Sequence, residues 1–297
     1  MGANVELSIE RGGQAIRQAR RRRNLDLVLK QKGIVIGGII LVLMALTALA
    51  APLLTSHDPN LVIPLDRLKR PSAVHFFGTD GQGRDIYSRV LYGGRTSLLV
   101  GFGVALVTLI GGTLIGLLAG YYPKVNAVVM RLMDGMMAFP SIILAIGIMA
   151  VRGADVSNVI LALSIVAVPR LARLVRSVVL GLNDAPFVEA ARAGGNTDSR
   201  IVWRYILPNC LSPLIVQVSF VFAEAVLGEA TLSFLGAGAP PDISSWGTML
   251  SESKAFLQQA PWTMIFPGLA LVLTVFALNL LGDGLRDVLD PRLQRRA

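Results

Sequence analysis

Uncharged apolar runs recur along this chain, and short segments rich in Lys, Arg, Asp and Glu separate them. No charged residue occurs in residues 33–56 or 96–123. A third uncharged run lies between Arg204 and Glu224, and a fourth, as long as 96–123, lies between Lys254 and Asp283. Two further runs are less clean. Residues 135–151 follow Arg131 and Asp134, and residues 156–169 precede Arg170, Arg173 and Arg176. A helix needs about 20 apolar residues to cross the hydrocarbon core of a bilayer. The pattern predicts an all-α integral membrane protein with six transmembrane helices at about 33–55, 96–121, 127–151, 156–180, 207–235 and 262–284. Within the second span, Gly112, Gly116 and Gly120 make consecutive small-x-x-x-small steps. Such steps let two helix backbones approach closely in lipid, and close packing inside the bundle is the reading they favour.

Composition agrees with this pattern. The 297 residues are 53% hydrophobic and 16% charged, and the mean hydropathy is +0.61. A soluble domain carries about a quarter charged residues. The net charge of +9 flanks the apolar runs and does not form an aromatic-interleaved patch, which argues against nucleic acid as a partner. With the N-terminus placed in the cytoplasm, 20 of the 28 Lys and Arg fall inside and eight outside. The positive-inside rule therefore puts both termini in the cytoplasm. The divisions are a basic segment 1–32, a first helix 33–55, a periplasmic segment 56–95, a five-helix core 96–285 and a tail 286–297. Arg170, Arg173 and Arg176 share one helical face and are expected to snorkel toward cytoplasmic headgroups. Residues 20–23 (all arginine) and Ala48-Leu49-Ala50 resemble a signal peptide. However, both the leader and the apolar run are longer than a typical signal, so the first helix is read as retained. The single cysteine, Cys210, excludes an intrachain disulfide and reads as a small core residue.

Two segments outside the spans carry further information. Residues 77–89 combine glycines with paired charges. Asp80 and Ser88 are candidate caps and Gly81 and Gly83 candidate turn residues, which predicts a surface turn leading into a short helix. Residues 181–205 predict a helical hairpin. Asp184 is a candidate cap and Pro186 suits the first turn, while Phe187, Ala190, Ala191 and Gly194 share a face. Gly194-Gly195 then stop the helix. A second short helix, capped by Asn196, Thr197 or Asp198, ends before Pro208. The small apolar face is covered either by a partner or by the protein's own bundle.

Glu189-Ala190-Ala191, three residues, Gly195, nine residues and Tyr205-Ile206-Leu207-Pro208 resemble the Glu-Ala-Ala loop of ABC-importer permeases. Tyr205 stands where the family has Ile or His, and Gly194 where Leu is frequent. Gly78-Thr79-Asp80 with Gly83-Arg84-Asp85, residues 232–236 and 246–250, and Gly282-Asp283-Gly284 with Leu289-Asp290-Pro291 are similar to segments of the dipeptide, oligopeptide and nickel permeases of the "C" type. The resemblance covers roughly residues 30–293. It implies a type I importer permease fold with a cytoplasmic coupling hairpin at 184–208. That hairpin would dock an ATPase through Asp184, Phe187, Glu189, Ala190, Ala191, Gly195, Leu207 and Pro208. It implies a bacterial inner-membrane location and no cofactor in this chain, since ATP and Mg would be bound by partner subunits. The implied partners are a homologous second permease, two ATP-binding subunits, a solute-binding protein and the lipid bilayer. The mechanism implied is alternating access, and the solute is a peptide or, alternatively, nickel.

The chain's own chemistry is consistent with a transport role. It contains no Gly-x4-Gly-Lys-Ser/Thr and no Gly-x-Ser-x-Gly, and its two histidines, His57 and His75, are well separated in sequence. No ATP site, serine triad or histidine metal cluster is expected. A stand-alone carrier would show internal repeats or several buried ionisable groups along its spans. Glu224 and Glu229 lie within a predicted span. They are candidate gate or cavity residues. For Glu229, an outer gate and a local hydrogen bond to a neighbouring Ser or Thr both remain open.

Overall fold

The computed structural model describes residues 31–289. The leader 1–30, with the arginine run that bears on the signal-peptide question, and tail residues 290–297 lie outside the described residues. Among the described residues the structure is helical, with one isolated antiparallel bridge between Thr79 and Asp85. The helices are α1 (Lys32–Leu49), α2 (Ala51–Leu54), α3 (Ile86–Tyr121), α4 (Pro123–Met137), α5 (Ser141–Arg152), α6 (Val156–Asn183), α7 (Pro186–Ala193), α8 (Asp198–Ile201), α9 (Leu207–Phe234), α10 (Trp246–Ser253) and α11 (Trp262–Leu289). A π-helical turn, Val202–Ile206, joins α8 to α9.

Five of the six predicted spans are continuous helices, and the third is broken. Helices α4 and α5 meet at 92°. Pro140 causes the break, because it lacks an N–H and disfavours helical geometry at Phe139 before it. The second span starts at Ile86, ten residues before the apolar run. Its cap is Asp85, whose carboxylate accepts from the Ser88 N–H at 2.8 Å. The candidate caps Asp80 and Ser88 are corrected accordingly. The fifth span also extends further than predicted, because α8, the π turn and α9 form one helical run. Pro208 falls in the first turn of α9, where a missing N–H costs little, so it does not end the hairpin.

Lipid tails are as apolar as leucine, so helix association in a membrane depends on close contact rather than on burial from water. The glycine row of α3 supplies that contact. A Cβ on Gly112 would come within 2.8 Å of Leu171, on Gly116 within 2.6 Å of the Ala172 carbonyl and Val175, and on Gly120 within 2.6 Å of Val179. All of these partners lie on α6. Helix α1 approaches α11 in the same way, with Gly37 against the Ala277 carbonyl. Arg95 of α3 donates to the carbonyls of Ala48 and Leu49 at 2.6 and 2.7 Å, satisfying acceptors at the end of α1. Outward residues such as Ile39, Val42, Val272 and Phe276 are exposed and apolar, as a lipid-facing surface requires.

The three arginines of α6 do not simply snorkel. Arg170 bonds Glu224 of α9, Arg173 bonds Asp134 of α4 at 2.5 Å, and Arg176 donates to Asn126 of α4 at 2.6 Å. Each charge is met by a group on another helix, which is the economical arrangement at depth in a membrane. Cys210 is fully buried.

Candidate functional site

The hairpin at 184–206 stands at the bundle end where α3 finishes and α6 turns into α7. Asp184 is exposed and ends α6, and it makes no capping bond to α7, whose first turn is set by Pro186. The predicted shared face is divided. Val188 and Ala191 are buried in a cluster with Val175, Val179, Ile201 and Ile206. Phe187, Glu189, Ala190 and Gly194 are exposed. One side of α7 is therefore fixed to the bundle while the other is free to meet a partner. The Asn183 amide donates to the Gly120 carbonyl at 3.1 Å, and the Tyr121 hydroxyl donates to Asp198 at 2.8 Å. Gly195 adopts φ +75° with open space around it, so backbone conformation, not crowding, selects glycine there. Leu207 is half-buried, Pro208 is exposed, and Trp203 in the π turn is 53% exposed. No sequence motif singles out Trp203. Its exposure depends on the phase of the π turn, which no local motif marks.

Midway along the bundle, a groove of about 360 Å³ is bordered by α3, α5, α6 and α9. Arg170 Nη1 donates to both carboxylate oxygens of Glu224 at 2.7 Å within it. Ser141 and Thr231 add polar atoms, and the rest of the lining is largely apolar. Ser141 sits at the break between α4 and α5.

Glu229 has a different setting. It is fully buried, and it accepts from Ser245 at 2.7 Å, Ser233 at 2.8 Å and Ser97 at 3.1 Å. The Ser97 hydroxyl in turn accepts from the Trp246 N–H at 3.2 Å. Glu229 is not among the residues that line the groove, and its carboxylate is engaged by the three serines. It joins α3, α9 and the start of α10.

The opposite end of the bundle holds an assembly the sequence reading had placed at the surface. Asp80, Arg84, Asp85 and Arg89 are buried. Asp80 accepts from Arg84 Nε at 2.7 Å and Arg89 Nη1 at 2.6 Å, and Glu252 accepts from Arg84 Nη2 at 2.5 Å and Arg89 Nη1 at 2.6 Å. His75 bonds Asp85 at 2.9 Å. The His57 and His75 rings lie 5.3 Å apart, so the two histidines are neighbours in space despite their separation in sequence. No group of three His, Cys, Asp or Glu able to hold a metal occurs among the described residues. The paired charges of residues 80–89 were legible, but their partner Glu252 is 168 residues from Arg84. Nothing local to either segment announces that contact.

Residues 112–295 match the model of the binding-protein-dependent transport system inner membrane component, and residues 28–71 match the N-terminal transmembrane domain of oligopeptide transport permease C. The chain is 48% identical over 266 residues to the dipeptide transport system permease protein DppC of Alkalihalophilus pseudofirmus, covering 89% of this chain and 88% of that one. It is 41% identical to the di/tripeptide transport system permease protein DppC of Pseudomonas aeruginosa, covering 90% of each. The glutathione transport system permease protein GsiD of Pectobacterium atrosepticum is 43% identical over 90% of this chain and 89% of its own length. Among solved structures, an inward-facing MetNI methionine ABC transporter chain matches with a TM-score of 0.59 and 22% identity, over 68% of this chain and 97% of that one. That likeness is one of fold.

Proposed function

Because the chain belongs to the family of binding-protein-dependent transport system inner membrane components, we propose that it forms one half of the translocation path of an ATP-driven importer for short peptides. The observation that carries this reading is the hairpin at 184–206. Its inner side is locked into the bundle through Val188 and Ala191, and its outer side presents Phe187, Glu189 and Ala190. Movement imposed on that outer side is transmitted directly to α6 and, through the π turn, to α9. Those two helices carry the Arg170–Glu224 pair. A partner ATPase that closes on ATP would drive this movement, with Mg and ATP held by that partner. A second, homologous permease completes the path, and a solute-binding protein delivers at the opposite end.

The hairpin end is cytoplasmic in this reading, as are both termini, in keeping with 20 of the 28 basic residues on that side. The names of the relatives favour peptides as the solute. The absence of a three-ligand cluster among the described residues does not favour nickel. The test uses liposomes containing the assembled importer, with ATP inside and binding protein outside. They should accumulate radiolabelled dialanine only when ATP is present. Solute flux by this chain alone would instead make it a secondary carrier. Accumulation of nickel ion and of no di- or tripeptide would overturn the peptide assignment.

A further inference from the structure

The Arg170–Glu224 pair sits where an ion pair is hardest to maintain. Arg170 lies halfway along α6, and Glu224 lies in the interior of α9. Both side chains are 56% exposed on the outer face of the bundle. A structural ion pair at membrane depth is normally turned inward and closed over by neighbouring helices, because exposure to hydrocarbon leaves its remaining hydrogen-bonding groups unmet. The α4–α5 break lies beside it, with Phe139, Pro140 and Ser141 exposed. Non-helical backbone at membrane depth is tolerated only against protein or a water-filled cavity. Two independent features, one charged and one backbone, thus exclude lipid from the same face. The groove that joins them is mainly apolar with a few converging polar groups, as sites for small organic molecules are.

We infer that Arg170 and Glu224 form a zwitterion-binding site, in which Glu224 receives the ammonium and Arg170 the carboxylate of a short peptide. This deepens the import reading and rests on it. The resting pair is its own counter-ion. When a zwitterion enters, one ion pair is exchanged for two, and no uncompensated charge is left in the groove at any stage. Two extended residues span about 7 Å, a gap that two long side chains on adjacent helices reach by changing rotamer. The apolar walls, Val104, Leu163 and Val221 among them, take the peptide's side chains without selecting between them. A divalent cation gains nothing comparable, because Glu224 is already neutralised by the Arg170 guanidinium. Movement of α6 against α9, the two helices joined to the hairpin, would bring the charges together or part them and so alternate release with capture.

The test uses the intact importer with its binding protein and ATP, and photoleucyl-alanine as the probe. Illumination during turnover should place label on this chain at Val104 or within residues 141–142, 163–170 and 221–231. In Glu224→Gln and Arg170→Gln importers the label on these segments should fall at least tenfold, together with dialanine uptake. Label elsewhere in an importer with normal uptake would overturn the site while leaving the import reading intact. Undiminished label in both variants would overturn capture by charge. An importer that hydrolyses ATP yet neither imports nor is labelled by the dipeptide would overturn the import reading itself. Should either variant fail to assemble, the position of the label in the unaltered importer decides the matter.

Discussion

Glu229 accepts hydrogen bonds from serines on three different elements, so its replacement affects more than one contact. Glutamine can still accept from these hydroxyls, and they can rotate to accept from its amide. Leucine leaves three buried hydroxyls without that partner, each worth about 1–3 kcal/mol. Glu229→Leu should therefore lower the thermal unfolding midpoint of the purified importer strongly, and Glu229→Gln should stay close to the unaltered protein. Equal midpoints for the two would show that the serine contacts do not matter. The sequence told us that Glu229 lies within a span and has either a gate or a local hydrogen bond as its role. It did not distinguish these, because Ser97 and Ser245 are remote in sequence. Asp155 offers a simpler case at the other end of the scale. Hydrogen bonds from Ser157 hold its carboxyl below the ordinary carboxylate range, and it caps α6. A depressed folded pKa means that its support for α6 is present above the ordinary carboxylate pKa and is lost as pH falls through the depressed value. Amide exchange in the first turn of α6 should quicken over that acid range, and Asp155→Ala should abolish the dependence.

Among the elements, the α3–α6 pair depends on the absence of side chains along one edge. Gly116→Leu would drive atoms into the Ala172 carbonyl and Val175. The variant should lose its monodisperse peak on size-exclusion chromatography. Gly111→Ala, one residue before Gly112 and so about 100° round the helix from that edge, places its Cβ at an ordinary 3.5 Å from Val168 and should keep it. An intact Gly116→Leu protein would mean that the two helices are not in register as described. Helix existence was legible here because long uncharged runs leave little else possible. Helix boundaries were not. Arg89 and Arg95 start no loop because each is bonded inside the protein, Arg89 to Asp80 and Glu252 and Arg95 to the end of α1, and the 96–121 span gained about three turns at its beginning. Residues 127–151 were apolar enough to suggest one span, and Pro140 outweighed that signal. Pro208 had the reverse effect. It looked like a terminator, yet it begins α9 in a position where its missing N–H is harmless.

For the molecule as a whole, the hairpin converts partner motion into helix motion, and this separates two measurable quantities. Ala190→Trp adds bulk on the exposed side of α7 while Val188 and Ala191 remain seated. The chain should insert and assemble normally, but ATP hydrolysis should proceed with transport reduced at least tenfold. Uptake coupled as in the unaltered importer would remove the hairpin from the energy path. Reporter fusions after Ala297 and before Arg11 should both report the cytoplasm, and a periplasmic signal from either would break the six-span arrangement. Fold class and the hairpin's place in it were readable from motif order. The exposed pair Arg170–Glu224 was only half readable. Glu224 stood out, whereas Arg170 looked like one of three anchors until its partner was located.

The assembly of Asp80, Arg84, Arg89 and Glu252 also has a consequence in time. Its first members emerge early from the ribosome, and Glu252 follows 168 residues after Arg84. At 5–20 residues per second, the interval is roughly 10 to 30 s. Throughout it, of the two carboxylates that meet these guanidinium groups in the folded chain, only Asp80 has been made. The arrival of Glu252, just ahead of the last transmembrane helix, supplies the second carboxylate and balances the two charges. The nascent chain thus carries a clasp that cannot fasten before the protein is nearly complete. A chain cut short before Glu252 lacks the second carboxylate for Arg84 and Arg89.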